Sequence, residues 1–211
     1  MAQKSVAEQA IIIPPIETVT FDVWLVGDSP LVVHAMSEKA RKELGHTESK
    51  QGKGPKALRD PMAEATACLH LTNDGEPGFP TRAFKASAGD AAMLLDNLHK
   101  STVRRLLFVH GEVAPLIAPD GWTMREDVCR LSGPSRTPDV RWRPQFWPWA
   151  VKLTVTTQPN LLPPEAVVNL FNWAGAFIGV GEDRPGKSGG DWGRFHVETD
   201  EPQLHRGEVN Q

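Results

Sequence analysis

Residues Gly181-Glu182-Asp183-Arg184-Pro185-Gly186-Lys187-Ser188 match the phosphate-loop pattern G-x-x-x-x-G-K-[ST] letter for letter. That chemistry needs a strand before the loop and a helix directly after it, so that successive backbone N–H groups converge on a phosphate. Here Gly189-Gly190-Asp191-Trp192-Gly193 and then a β-like stretch follow the match. Carboxylates at Glu182 and Asp183 repel an anion, and Pro185 has no N–H to give. Nucleotide hydrolysis is therefore a minor alternative. The same segment supports a different chemistry. Its glycines let a backbone come close to a bulky group, exposed N–H groups along it can donate to phosphate, and Arg184, Lys187 and Arg194 supply cations, a combination suited to a sugar–phosphate chain. The competing reading is a long hairpin that holds no ligand.

Residues 141–149, RWRPQFWPW, interleave arginine with aromatics. Indole faces and guanidinium planes stack on unpaired bases. Arg141, Trp142 and Arg143 are the candidates, whereas Trp149 continues a strand alternation and is expected in the core. A third cationic stretch, with Lys39, Arg41, Lys42, Lys53 and Lys56, reads as a long basic loop that follows phosphates or is merely solvated. The net charge of −3, from 23 Lys and Arg against 26 Asp and Glu, excludes binding by bulk charge. Acidic residues gather toward the ends and basic ones in the middle, which leaves room for a local positive groove.

Other chemistry finds little support. The seven histidines form no ligand-spaced set, and no nucleophile-elbow pattern occurs. No metal, cofactor or catalytic residue is expected. Asp28 and Asp60 are loop carboxylates, and helix capping accounts for Asp60 most simply. The 2 cysteines, Cys68 and Cys129, are too few for a disulfide framework and point to a reducing, cytoplasmic setting. No apolar run nears the roughly 20 residues a membrane helix needs, so no membrane contact is expected.

The elements that must hold these residues follow from periodicity. Residues 18–26 alternate, with Val19, Phe21, Val23 and Leu25 on one face. Asp60-Pro61 opens a short helix, and Thr81 is placed to cap a longer one running through Leu98. Residues 103–109 suit a strand. Residues 149–157 alternate strictly, with Trp149, Val151, Leu153 and Val155 on one side. Pro163-Pro164-Glu165 starts a helix with Val167, Leu170, Phe171 and Ala174 on its apolar face, and 194–198 form a last strand. Without its insertions, the order is β-α-β-β-α-β. The expected fold is α+β, a ferredoxin-like or RRM-like core, with insertions at 27–80 and 111–148. Residues 1–16 read as an arm, 17–199 as one domain, and 200–211 as a polar tail.

Two segments together resemble the RAMP superfamily, the ferredoxin-like proteins of CRISPR effector backbones. One is Asp60-Pro61 with Gly78-Phe79-Pro80-Thr81-Arg82-Ala83-Phe84-Lys85-Ala86-Ser87, similar to the family's proline-led turn into its first core helix. The other is the glycine-rich stretch from Gly179 to Phe195, similar to the family's loop before the last strand. The resemblance implies a subunit that lines up along a single strand, without catalysis, as a homo-oligomer or filament. By position it adds Arg82 and Lys85 to Arg184, Lys187 and Arg194 as phosphate contacts. A standalone, phage-encoded member could coat single-stranded DNA instead of RNA. The expected function is thus sequence-independent binding of single-stranded nucleic acid. A hydrolase or metal-dependent nuclease, and a structural protein such as a virion component, are the alternatives.

Overall fold

The computed structural model describes residue 13 and residues 15–36, 58–130 and 136–204. The basic-loop candidates Lys39, Arg41, Lys42, Lys53 and Lys56 lie outside the described residues. The architecture is α+β with antiparallel sheets.

Alternation builds the centre. Strand β1, Val19–Gly27, pairs antiparallel along its length with β9, Ala150–Thr157. Val23, Leu25, Val151, Leu153 and Val155 are buried, while the intervening Asp22, Lys152 and Thr154 face water. There the outward residues form a cross-strand cluster: Lys152 Nζ lies 2.8 Å from Asp22 and Thr154 donates to Asp22 at 2.7 Å. On its other edge, β1 pairs with β10, Phe195–Glu198. The far edge of β9 carries two short partners, β5 (Phe108–Val109) and β6 (Val113–Ile117), one toward each end. From β6 the sheet continues through β4, Pro77–Pro80, to β3, His70–Leu71. A second sheet holds β2 (Leu31–Val32), β8 (Pro138–Phe146) and β7 (Trp122–Arg130) in that order.

Two helices pack together against the large sheet: α2, Thr81–Ala91, and α4, Pro164–Phe177. Phe84, Ala88 and Ala91 of α2 meet Val167, Leu170, Phe171 and Ala174 of α4 in one buried cluster that runs from Val23 to Phe195. Trp149 belongs to that cluster, fully buried, with its indole N–H donating to the Ser29 carbonyl at 2.8 Å. Helix α1, Pro61–Thr66, is capped by Asp60, whose Oδ1 accepts the N–H groups of Met62 and Ala63. Helix α5, Pro185–Ser188, is a single turn. Among the described residues, no helix is long and apolar enough to cross a membrane.

Three local expectations change. The stretch 103–109 is mostly helix: α3 spans Lys100–Leu106 and only Phe108–Val109 remain extended. A short apolar run does not by itself decide between helix and strand. Helix α2 stops at Ala91; Ala92–Leu94 tighten into a 3-10 turn and Leu95 turns extended. Thr81 does not cap α2. Its hydroxyl donates to the Gly111 carbonyl at 2.5 Å, and no side chain caps the helix. Within the 111–148 insertion, β7 and β8 pair over nine positions.

Candidate nucleic-acid interface

The start of α2 and the glycine-rich loop lie side by side. Strand β4 feeds directly into α2 at Pro80, so Arg82 projects from the helix's first turn and is exposed. Ser87, one turn on and buried, donates its hydroxyl to the Gly179 carbonyl at 3.0 Å. That bond ties α2 to the loop's first turn. The two segments enclose a cleft of about 350 Å³, lined by Arg82, Ala83, Gly181, Glu182 and Arg184, with His34 and Asp90 on its walls.

Both acids on this cleft are already engaged. Asp90 is paired with Lys100, and Glu182 takes Lys187 Nζ at 2.8 Å on each oxygen. Burial pushes the Glu182 carboxyl up, but the Lys187 hydrogen bond and the nearby charges of Lys187 and Arg143 outweigh it and hold Glu182 below the ordinary carboxylate range. Arg184 Nη1 donates to the Gly181 carbonyl at 2.7 Å. Arg82 has no ion-pair partner among the described residues. The two arginines are thus the unbalanced charges of the cleft. Burial lowers the His34 imidazole below its usual value and the Arg143 charge lowers it further, so His34 adds no cation near neutral pH.

The loop is closed by its own backbone. N–H groups of Val180, Lys187, Ser188 and Trp192 bond within it, that of Gly186 bonds to Ile178 at the end of α4, and those of Glu182 and Gly193 bond to Val32 and Pro30. The expectation of exposed N–H groups along the loop therefore fails at these positions, which are used in holding its shape. Gly193 shows why glycine is required. Its φ is +65°, and an added Cβ would lie 1.8 Å from the Val180 oxygen. The phosphate-loop match likewise lacks its chemistry: helix α4 and a turn precede it, α5 is one turn ended by left-handed Gly189, and Lys187 and Ser188 are held by Glu182 and Asp183.

The remaining candidates divide between two other places. Arg143 and Lys187 line a second cleft of about 450 Å³, between β7–β8 and the loop, with Arg125, Arg130 and Trp192. Glu182 is the wall common to both clefts. In the β7–β8 register Arg125 lies opposite Arg143, and Asp127 reaches both, at 2.7 Å to Arg125 Nε and 3.5 Å to Arg143 Nη1. Arg141 shares that face and lies 3.4 Å from Asp139. Trp142 points to the opposite face, where its indole N–H donates to Glu126 at 2.7 Å and the Arg59 guanidinium covers one ring face at 4.5 Å. Lys85 and Arg194 line neither cleft. Lys85 lies over the Phe108 ring at 5.0 Å, and burial holds its ammonium below the ordinary value. The Arg194 Nε is enclosed and has no hydrogen-bond partner among the described residues.

Arg125 and Trp192 were not candidates from sequence, and they stack on one another at 4.3 Å. The alternation Arg125-x-Asp127-x-Cys129 was the available signal, because it places all three on one strand face. Among the described residues, no three His, Cys, Asp or Glu side chains cluster to hold a metal ion. Asp28 accepts from His196 Nδ1 at 2.6 Å, and Asp60 is the α1 cap.

No protein-family model matches the chain, and no curated protein matches it. Among solved structures, it is similar to the crystal structure of Cmr6 from Pyrococcus furiosus. The identity is 13% and the TM-score 0.44, over 87% of this chain and 100% of that one.

Proposed function

We propose that this chain is a RAMP-like, self-associating subunit that binds the backbone of single-stranded nucleic acid without reading its sequence and without cutting it. The observation that carries the reading is the first cleft. Arg82 from the start of α2 and Arg184 from the glycine-rich loop line one groove whose acids, Asp90 and Glu182, are already neutralised by Lys100 and Lys187. An anion in that groove meets a local excess of positive charge despite the chain's net −3. The strand order β10-β1-β9-β5, with α2 and α4 as the crossovers, supports a ferredoxin-like core. The exposed aromatic pair Trp173 and Phe177 on α4, with ring centroids 5.2 Å apart, supports self-association.

The test is binding of oligo-U and oligo-dT across a salt series, read by anisotropy of a labelled strand. Single-strand contacts to phosphate each contribute about 0.7 to the slope of log K against log salt. Arg82→Ala and Arg184→Ala are each expected to reduce that slope by about 0.7 and to weaken all sequences alike. Slopes equal to that of the parent protein in both variants would remove the first cleft from the interface. Cleavage of RNA in the presence of Mg²⁺ would overturn the non-catalytic part.

A further inference from the structure

Arg143 is the one charged residue that is buried among the described residues. Its side chain is only 9% exposed, and Asp127 is 3.5 Å away and shared with Arg125. Its Nη2 donates to the Cys129 sulfur at 3.1 Å, a weak acceptor, and its Nε is enclosed with no partner among the described residues. A buried guanidinium whose one ion-pair partner is shared and whose other contact is a thiol is costly to desolvate. An apolar residue of the same volume would serve the sheet better. Arg143 lines the second cleft, so an anion entering that cleft would add to the countercharge it shares with Arg125.

The rest of the cleft suits an anion joined to a flat ring. Lys187 and Arg130 stand at its sides, and Arg130 makes no ion pair among the described residues. The acids are engaged: Asp127 bridges Arg125 and Arg143, Glu182 holds Lys187, and Asp183 accepts the Ser188 hydroxyl. Trp192 sets an indole beside these cations, steadied by the Arg125 guanidinium. A volume of about 450 Å³ falls within the usual range for small-ligand sites.

We infer that the second cleft seats one nucleotide of the bound strand, with its phosphate facing Arg143 and Lys187 and its base against Trp192. The choice of a strand as the source of that nucleotide rests on the proposed function; the cleft's need for an anion does not. The two clefts meet at Glu182, so a strand crossing that residue would touch both.

The experiment is calorimetric titration of the full chain with UMP, inorganic phosphate and uridine at low salt, followed by competition with oligo-U. UMP is expected to bind more tightly than phosphate, and uridine weakest. Lys187→Ala and Trp192→Ala should each weaken UMP by about tenfold, the equivalent of 1.4 kcal/mol. Arg143→Met should abolish UMP binding while leaving the thermal midpoint equal to or above that of the parent. If Arg143→Met does not fold, the Lys187 and Trp192 variants carry the test. Oligo-U should displace UMP. UMP that never saturates, or that binds the variants as it binds the parent, overturns the inference. So does UMP that oligo-U cannot displace, which marks a free-nucleotide pocket instead. Strand binding that persists while UMP fails leaves the first cleft standing, whereas failure of both removes the two readings together.

Discussion

Gly175→Ala should destabilise the protein, although helix propensity alone predicts the reverse. Gly175 lies in the last part of α4 and is buried against β10. A Cβ built there would lie 1.8 Å from the Phe195 carbonyl oxygen, 2.6 Å from its carbon and 2.7 Å from its ring. An ordinary contact needs the strand backbone to retreat by more than an ångström. Phe195 cannot yield cheaply: its ring is 1% exposed and packs edge-on against Phe84 and Trp149. Overpacking of this kind costs about 1–3 kcal/mol, and moving β10 also strains its ladder with β1. In an exposed helix, glycine to alanine gains about 1 kcal/mol. The net is a loss that reaches about 2 kcal/mol, or about 8 °C in Tm for a chain of this size. Scanning calorimetry or a urea titration measures it. A Tm equal to or above the parent's would show that α4 does not seat on β10 as closely as described.

Two further outcomes follow from single bonds. Ser87→Ala removes the hydroxyl that satisfies the Gly179 carbonyl and should cost about 1–2 kcal/mol by urea titration; an unchanged midpoint would mean α2 and the loop are not joined there. For His196, burial lowers the imidazole's affinity for a proton, but hydrogen bonds to Asp28 and Glu198 outweigh it, so its pKa stands above the ordinary value. The resulting stability is fully present below about pH 6.5 and is lost as pH rises through the raised folded value. Asp28→Asn should therefore lower Tm more at pH 6 than at pH 9. An equal difference at both would refute the pairing.

Legibility in the sequence tracked how local the determining physics was. β1, β9 and α4 were readable because their burial alternates or recurs at the helical period, and the core face of each is the one predicted. Asp60 was readable because a cap is a contact within three residues. Thr81 was not: its hydroxyl finds Gly111, thirty residues away, and nothing near it in sequence signals that bond. The pairing of Arg82 with Arg184 across one cleft was inferred from resemblance. What periodicity could not show is that Lys187 faces Glu182 and that Lys85 turns to Phe108. The second cleft was hidden for the same reason. Its residues come from three strands and a loop, and Arg143 looks like any other arginine until its burial is known.

The bonds that close the loop have a mechanical consequence. Asp28 N–H donates to Arg194, Gly193 N–H to Pro30, and Glu182 N–H to Val32. Residues 28–32 and 182–194 are thereby stitched into a single plate, at the seam between the large sheet and the small one. Whatever tilts the loop must tilt the β1–β2 turn with it and carry β2's partner β8 along. In hydrogen exchange these three amides should open together, as one panel rather than as three separate latches.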